Sequence, residues 1–141
     1  MSKLIRLSAI DHLVGACPFS NQLVFEYPAK LDHQRLMEAY QVTARRFEGV
    51  SATLTRVDDH SLAFDLSRDA SEIRVTNDGA DIPLHACVDP VNLQLGQPLA
   101  RARIVDRGAR GTAVGFPMSH AVADGYGFFL FLMAWAAQAR G

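Results

Sequence analysis

Over residues 111–138 the sequence changes its hydrophobic period once, and abruptly. In "GTAVGFPMS", Thr112, Val114, Phe116 and Met118 share one face of an extended chain, while Ala113, Gly115, Pro117 and Ser119 share the other. After "HAVAD", the segment "GYGFFLFLMAWAAQ" (125–138) reads as a helix, with Phe128, Phe129, Leu132, Trp135 and Ala136 at helical spacing. A strand with an apolar row that leads into a helix this apolar can bury both only by helix-on-sheet packing. The apolar run from Tyr126 to Ala137 is 12 residues long, whereas a bilayer crossing takes about 20. It is therefore a core helix and not a membrane anchor. One stripe of these side chains is expected to pack on the sheet.

The rest of the chain supplies the other layers. "QLVFEYP" (22–28) is rich in β-branched and aromatic residues, and Pro28 closes it as a strand. From Leu31 to Phe47 the residues Leu31, Leu36, Met37, Tyr40, Ala44 and Phe47 recur at three- and four-residue spacing. Arg35, Glu38, Arg45 and Arg46 take the wet side of this helix, and Gly49 is expected to end it. "SATLTRV" and "SLAFDLS" form a hairpin across Asp58-Asp59-His60, and "EIRVT" is a short strand stopped by Asn77-Asp78-Gly79. The prolines and glycines of residues 78–98 read as loop. "LARARIVD" and "GTAVGFPMS" pair as a second hairpin across Arg107 to Arg110. The sum is one α/β domain over residues 1–141, a sandwich of helices on a mixed sheet.

Composition removes several function classes. The chain has 141 residues and a formal net charge of −1, so bulk electrostatics favour neither nucleic acid nor an anionic membrane. Cys17 and Cys87 lie far apart and outside any CxxC pattern. With Asp11 interrupting any leader-like apolar block, a reduced cytoplasmic protein is expected. Gly125-x-Gly127 lacks the third glycine of a dinucleotide loop, Leu130 standing in its place, and no phosphate-loop GxxxxGK[ST] occurs. His12, His33, His60 and His85 lack metal-ligand spacing, so no metal site is expected. Arg101, Arg103, Arg107 and Arg110 cluster on one hairpin and read as the solvated face of a strand rather than a phosphate site.

His120 and Asp124 remain, and the residues alone support two readings. In one, His120 continues the apolar row of the strand as a partly desolvated, neutral imidazole, the state that a general base requires. Small neighbours leave room around the ring, Asp124 pairs with an arginine elsewhere, and Gly125 takes the turn, with a positive φ. In the other, Asp124 caps a helix and the histidine is an incidental buried one.

The ordered segments resemble a known family. "SHAVADG" is an HxxxDG motif, and its surroundings resemble the BAHD acyltransferases of the chloramphenicol acetyltransferase-like superfamily, to which condensation domains also belong. "RLSAIDHL" is similar to the family's opening LSxxD segment, "VFEYP" to its first strand, "LDHQRLMEAYQVTARRFEGVSATL" to the next helix and strand, and "FFLFLMAWAAQARG" to the helix after the motif. The resemblance implies a chloramphenicol acetyltransferase-like two-layer sandwich and an acyltransferase, with acyl-CoA as co-substrate and no permanently bound cofactor. The acceptor would be a small-molecule alcohol or amine, His120 the general base, and Asp124 and Gly125 structural. Phe116, Met118 and Ser119 would line a substrate tunnel. Ser119 stands where condensation domains often carry a second histidine, which favours coenzyme A over a carrier-protein thioester. Family members are much longer and two-lobed, with the site in a tunnel between the lobes, and no DFGWG-like segment occurs here. The resemblance thus implies a single lobe that needs a second one, the chain being the excised first half of a longer protein, a subunit paired with a separate second-half chain, or part of a homo-oligomer. A noncatalytic binding module of the same fold is the alternative.

Overall fold

The computed structural model describes residues 3–15 and 20–141; Cys17 lies outside them. Two sheets organise the chain. Strands β2 (Asn21–Tyr27), β5 (Glu72–Thr76), β6 (Arg101–Asp106) and β7 (Thr112–Met118) form a four-stranded sheet in the order β2-β7-β6-β5. It is mixed: β7 runs antiparallel to both its neighbours, and β5 runs parallel to β6. Strands β1 (Leu4–Arg6), β3 (Thr53–Asp58) and β4 (Ser61–Asp65) make a separate antiparallel sheet in the order β1-β4-β3. Among the described residues the α-helices are α1 (Ala9–Gly15), α2 (His33–Ala44) and α3 (Gly125–Arg140).

Helices α2 and α3 cover one face of the larger sheet. Val114, Phe116 and Met118 of β7 meet Tyr40 of α2 and Phe128, Phe131 and Trp135 of α3. Phe116 stacks on Phe131 at 4.9 Å and on Phe128 at 5.6 Å, and the Tyr40 ring meets Trp135 edge-on at 5.1 Å. Aromatic pairs at these distances add to what area burial alone supplies. The Trp135 indole N–H also donates to the Leu36 carbonyl at 2.9 Å, tying α3 to α2. Burial pushes the Tyr40 phenol's pKa well up.

The opposite face of β7 is covered by the 3-10 turn Leu84–Cys87, where Cys87 packs on Val105 and Ala113. An added Cβ on Gly115 would sit on the Cys87 carbonyl, so only glycine lets this turn approach the strand. The strand is buried on both faces along its whole length. Desolvation by burial raises the pKa of the Cys87 thiol, despite the nearby Arg107 and Arg103.

Of the four hairpin arginines, Arg107 is buried, Arg101 and Arg103 are half-buried and only Arg110 is exposed, and each is engaged by protein groups rather than left as a solvated face. Arg107 is 3% exposed, pairs with Glu26 and donates to the Ile82 carbonyl at 3.1 Å. Arg103 reaches Thr76, the Ala86 carbonyl and Asp89, Arg101 pairs with Glu72, and Arg110 donates to the Ala80 carbonyl. They fasten the 77–90 loop and neighbouring strands onto the sheet.

Two glycines act differently from the sequence expectation. Helix α2 starts after the Asp32 cap and ends at Ala44, before a 3-10 turn at Glu48–Ser51, so Gly49 does not cap it. A Cβ on Gly49 would lie 2.8 Å from Val122 Cγ1, so its bareness serves close packing against the motif loop. Gly125 has no positive φ; it is the first residue of α3, and open space surrounds the place of a Cβ.

Candidate active site

The end of β7 determines where His120 goes. Ser119 N–H donates to the Leu99 carbonyl at 2.8 Å, carrying the chain one step beyond Met118. The Val122 N–H then returns to the Ser119 carbonyl at 3.0 Å, which closes a four-residue turn with His120 at its second position. The Ser119 hydroxyl accepts from the Ala121 N–H at 3.2 Å inside the same turn.

Each neighbour of His120 is anchored. Ala121 packs into the smaller sheet's core with Leu54, Phe64 and Leu99, and Val122 touches both this core and the main one. The Asn21 side chain holds the Ala123 carbonyl at 3.1 Å. The Asp124 carboxylate accepts from the Gly127 N–H at 2.8 Å, and its carbonyl accepts from the Phe128 N–H at 2.9 Å. Asp124 is thus the N-cap of α3, and its charge also suits the positive end of the helix. No lysine, arginine or histidine among the described residues reaches its carboxylate, so the expected arginine pair is replaced by this cap.

His120 is partly buried and lines a cavity of about 280 Å³ together with Ile10, Asp11 and the following residues to Asp124. Helix α1 supplies the facing wall. It begins with a reciprocal cap, in which Ser8 N–H donates to Asp11 Oδ2 at 2.8 Å and Asp11 N–H to Ser8 Oγ at 3.2 Å. This gives the serine and aspartate of "LSAID" a physical role: they start the helix that faces His120. The S-x-x-D spacing is the sequence signal that could have revealed α1.

The expected tunnel residues lie elsewhere. Phe116 and Met118 are fully buried under α2 and α3, and Ser119 is buried in the turn, so none of them lines this cavity. Alternation places the Phe116 row toward the helices, while the turn after Met118 takes His120 out of that row. Among the described residues no group of three His, Cys, Asp or Glu side chains gathers as a metal site. None of their helices is long and apolar enough to cross a membrane.

A second cavity of about 280 Å³ lies on the other side of α3, between it and the edge strand β2. Its walls include Phe25, Tyr27, Leu31, Phe129 and Met133. Tyr126, Phe129, Leu130 and Met133 project outward from α3 as a second apolar stripe, alongside the buried one. A helix that is apolar all round normally belongs in an interior.

No known protein family profile matches the chain, and no curated protein does. Solved structures do. The starter condensation domain of rhizomide synthetase RzmA is similar with a TM-score of 0.77 at 16% identity, over 96% of this chain and 38% of that one. The condensation domain that mediates chain release from the enacyloxin polyketide synthase aligns with a TM-score of 0.69 at 20% identity, over 95% and 29%. TRI101 of F. graminearum, complexed with ethyl coenzyme A, aligns with a TM-score of 0.75 at 12% identity, over 99% and 40%. The fold is therefore that of a single chloramphenicol acetyltransferase-like lobe, and the chain spans between 29% and 40% of the length of these structures.

Proposed function

We propose that this lobe carries the general base of an acyltransferase, and that the substrate reacts at His120. The observation that carries this reading is the contrast within one turn: the residues around His120 are fixed by hydrogen bonds or packing, while the imidazole faces an open cavity. Such anchoring supplies the preorganisation that a positioned base needs.

In the proposed reaction His120 takes the proton of an acceptor hydroxyl or amine as the acceptor attacks the thioester carbonyl. The tetrahedral adduct collapses, the C–S bond breaks, and the imidazolium returns the proton to the departing thiolate. The products are an ester or amide and a free thiol. Asp124 acts through the backbone by holding the start of α3, and Gly125 opens that helix. Acyl-CoA is the proposed donor, by the resemblance to BAHD enzymes and because a coenzyme A analogue is bound in one similar structure. A carrier-protein thioester is the second reading, supported by the condensation domains that share the fold. Both donors present the same thioester to His120. The apolar stripe of α3 and the groove beside β2 are the proposed seat of a second lobe, from another chain, another part of a longer protein or another copy.

The test is His120→Ala in the active assembly, with thiol release followed from acyl-CoA in the presence of alcohols and amines. A loss of about 10²- to 10⁴-fold at unchanged fold is expected. Near-full turnover by the folded variant would refute the base. If no assembled form turns over or binds a thioester, a noncatalytic module of this fold is left.

A further inference from the structure

We propose that Ile10 of helix α1 is the residue that selects the acyl chain of the thioester reacting at His120, and that His12 is the positioning residue that holds Ile10 in place. The inference rests on the acyl-transfer reading above.

Helix α1 is short and turns Ile10 and Leu13 outward. Ile10 is 71% exposed and Leu13 is 76% exposed, on one face at a three-residue spacing. A solitary exposed apolar residue needs no explanation. Ile10 differs because it lines the His120 cavity, with Ala121, Val122 and Ala123 as the other apolar wall residues. The polar groups there, Asp11 and Asp124, have their carboxylates engaged by the backbone N–H groups of Ser8 and Gly127. What the cavity offers a ligand beside the imidazole is therefore mainly aliphatic surface, which suits a hydrocarbon chain better than a polar headgroup.

The wall is held from behind. His12 points toward the smaller sheet: its Nδ1 lies 2.7 Å from the Ser8 carbonyl, and its Nε2 lies 3.2 Å from the Leu62 N–H of β4. A carbonyl only accepts and a backbone N–H only donates, so these partners specify the neutral ring with its proton on Nδ1. Next to it the Leu7 N–H donates to the Leu62 carbonyl at 2.9 Å. One residue of β4 thus fixes the chain on entry to α1 and one residue past Asp11. These polar ties fasten α1 in its place over the cavity. His12 never touches the substrate; it acts by setting how far Ile10 stands from His120.

The experiment uses the protein in its active assembly with acetyl, butyryl, hexanoyl and octanoyl N-acetylcysteamine thioesters, which carry the pantetheine end common to coenzyme A and carrier proteins. Thiol release is followed with a fixed panel of primary alcohols and amines, and the readout is the ratio of kcat/KM for each chain to that for acetyl. For Ile10→Ala, that ratio is expected to fall about fourfold for each methylene that loses its apolar contact. Ile10→Trp, which fills the cavity, is expected to cut the ratios for the longer chains most steeply. His12→Ala should flatten the profile as Ile10→Ala does, and the double variant should flatten it no further, because both act through one wall. A merely structural lesion would lower all thioesters together and add to the Ile10 effect. Unchanged ratios in the Ile10 variants, uniform losses, or additive effects of the two sites would overturn the proposal. So would a change confined to acceptor preference. His120→Ala separates the two levels. If it spares turnover, or if the parent turns over no thioester, the acyl-transfer reading itself falls. If it abolishes turnover while Ile10 changes nothing, only the wall is refuted.

Discussion

Phe128 and Phe129 are adjacent in sequence and opposite in environment, which makes them a sensitive test of how α3 is rotated. Phe128 is 2% exposed and stacks on Phe116 at 5.6 Å; Phe129 is 53% exposed and meets the Phe128 ring edge-on at 5.7 Å. Removing a buried ring costs its transfer free energy plus that of the cavity it leaves, about 3 to 5 kcal/mol for Phe→Ala. Full burial of a Phe side chain is worth about 1.5 to 3 kcal/mol. Phe129, roughly half covered, stands to lose about 1 kcal/mol, with no enclosed cavity to add. For a domain of this size, each kcal/mol moves the melting temperature by roughly 3 to 4 °C. Phe128→Ala should then lower it by about 10 to 20 °C and Phe129→Ala by less than about 5 °C. Circular dichroism melts and urea titrations of the 141-residue chain provide the readout. In an assembly with a second lobe the order changes: Phe129→Ala should weaken association while leaving the lobe folded. Equal losses at the two positions in the lobe alone would mean that α3 does not present the faces described.

The remaining predictions concern the motif loop and the surface carboxylates. Gly49→Ala forces a Cβ to 2.8 Å from Val122 Cγ1, so a cost of about 1 to 3 kcal/mol is expected, with a further drop in turnover as the His120 turn shifts; Gly125→Ala, with open space around its Cβ, should leave the melting temperature in place. Asp124→Ala should cost about 0.5 to 2 kcal/mol through loss of the cap, and Asp124→Asn, which can still cap, much less; equal losses by urea unfolding would show that the charge matters more than the hydrogen bond. Asp58, Asp65, Asp69 and Asp106 have pKa values held below the ordinary carboxyl value, chiefly by the His60 N–H, the Ser67 hydroxyl, the Ser71 hydroxyl and the Gly108 N–H in turn. A lowered folded-state pKa means that the unfolded chain binds more protons, so this stabilisation is complete above the ordinary value and is lost as pH falls through the folded one. Melting temperature should therefore fall on acidification below about pH 4, with a shallower fall in Asp106→Asn, and a slope identical to the parent's would remove Asp106 from that account.

Long periodic segments could be read from the sequence because their side chains report one environment repeatedly. The strand of Leu23 to Tyr27, the helix around Tyr40 and the helix around Phe131 each present several turns or alternations to a single core. Strand β1 has three residues and α1 has seven, too few to show a period, and both went unread. The arginines of β6 and its turn could not be placed because the partners that hold them, Glu26 and Asp89 among them, come from other strands and loops. The division into two sheets was equally hidden. It depends on the 95–100 segment, where the Gly96 N–H bonds Leu54 and the Leu99 carbonyl receives Ser119. At the site, His120 and Asp124 were visible as a motif. Ile10 and Asp11 were not, because the contact between α1 and the motif turn is tertiary and leaves no local pattern.

The two features that an isolated lobe leaves open begin at one place. Asp124 caps α3, and from there the helix sends Phe128, Phe131 and Trp135 inward and Tyr126, Phe129 and Met133 outward. Asp124 stands two residues past the Ser119–Val122 turn that presents His120, and Asn21 of edge strand β2 holds the Ala123 carbonyl between them. A body seated on the outer stripe of α3 and the β2 groove would therefore press on the helix that Asp124 caps, four residues after His120. It need not touch His120 to affect it, since a small rotation of α3 would move Asp124 and the turn together. On the proposed reading, the second lobe has two separable roles: to cover an apolar surface that water disfavours, and to settle the helix that positions the base. Phe129→Ala and Asp124→Ala reach those roles from opposite ends of one lever, and in the assembly their effects on turnover should be non-additive.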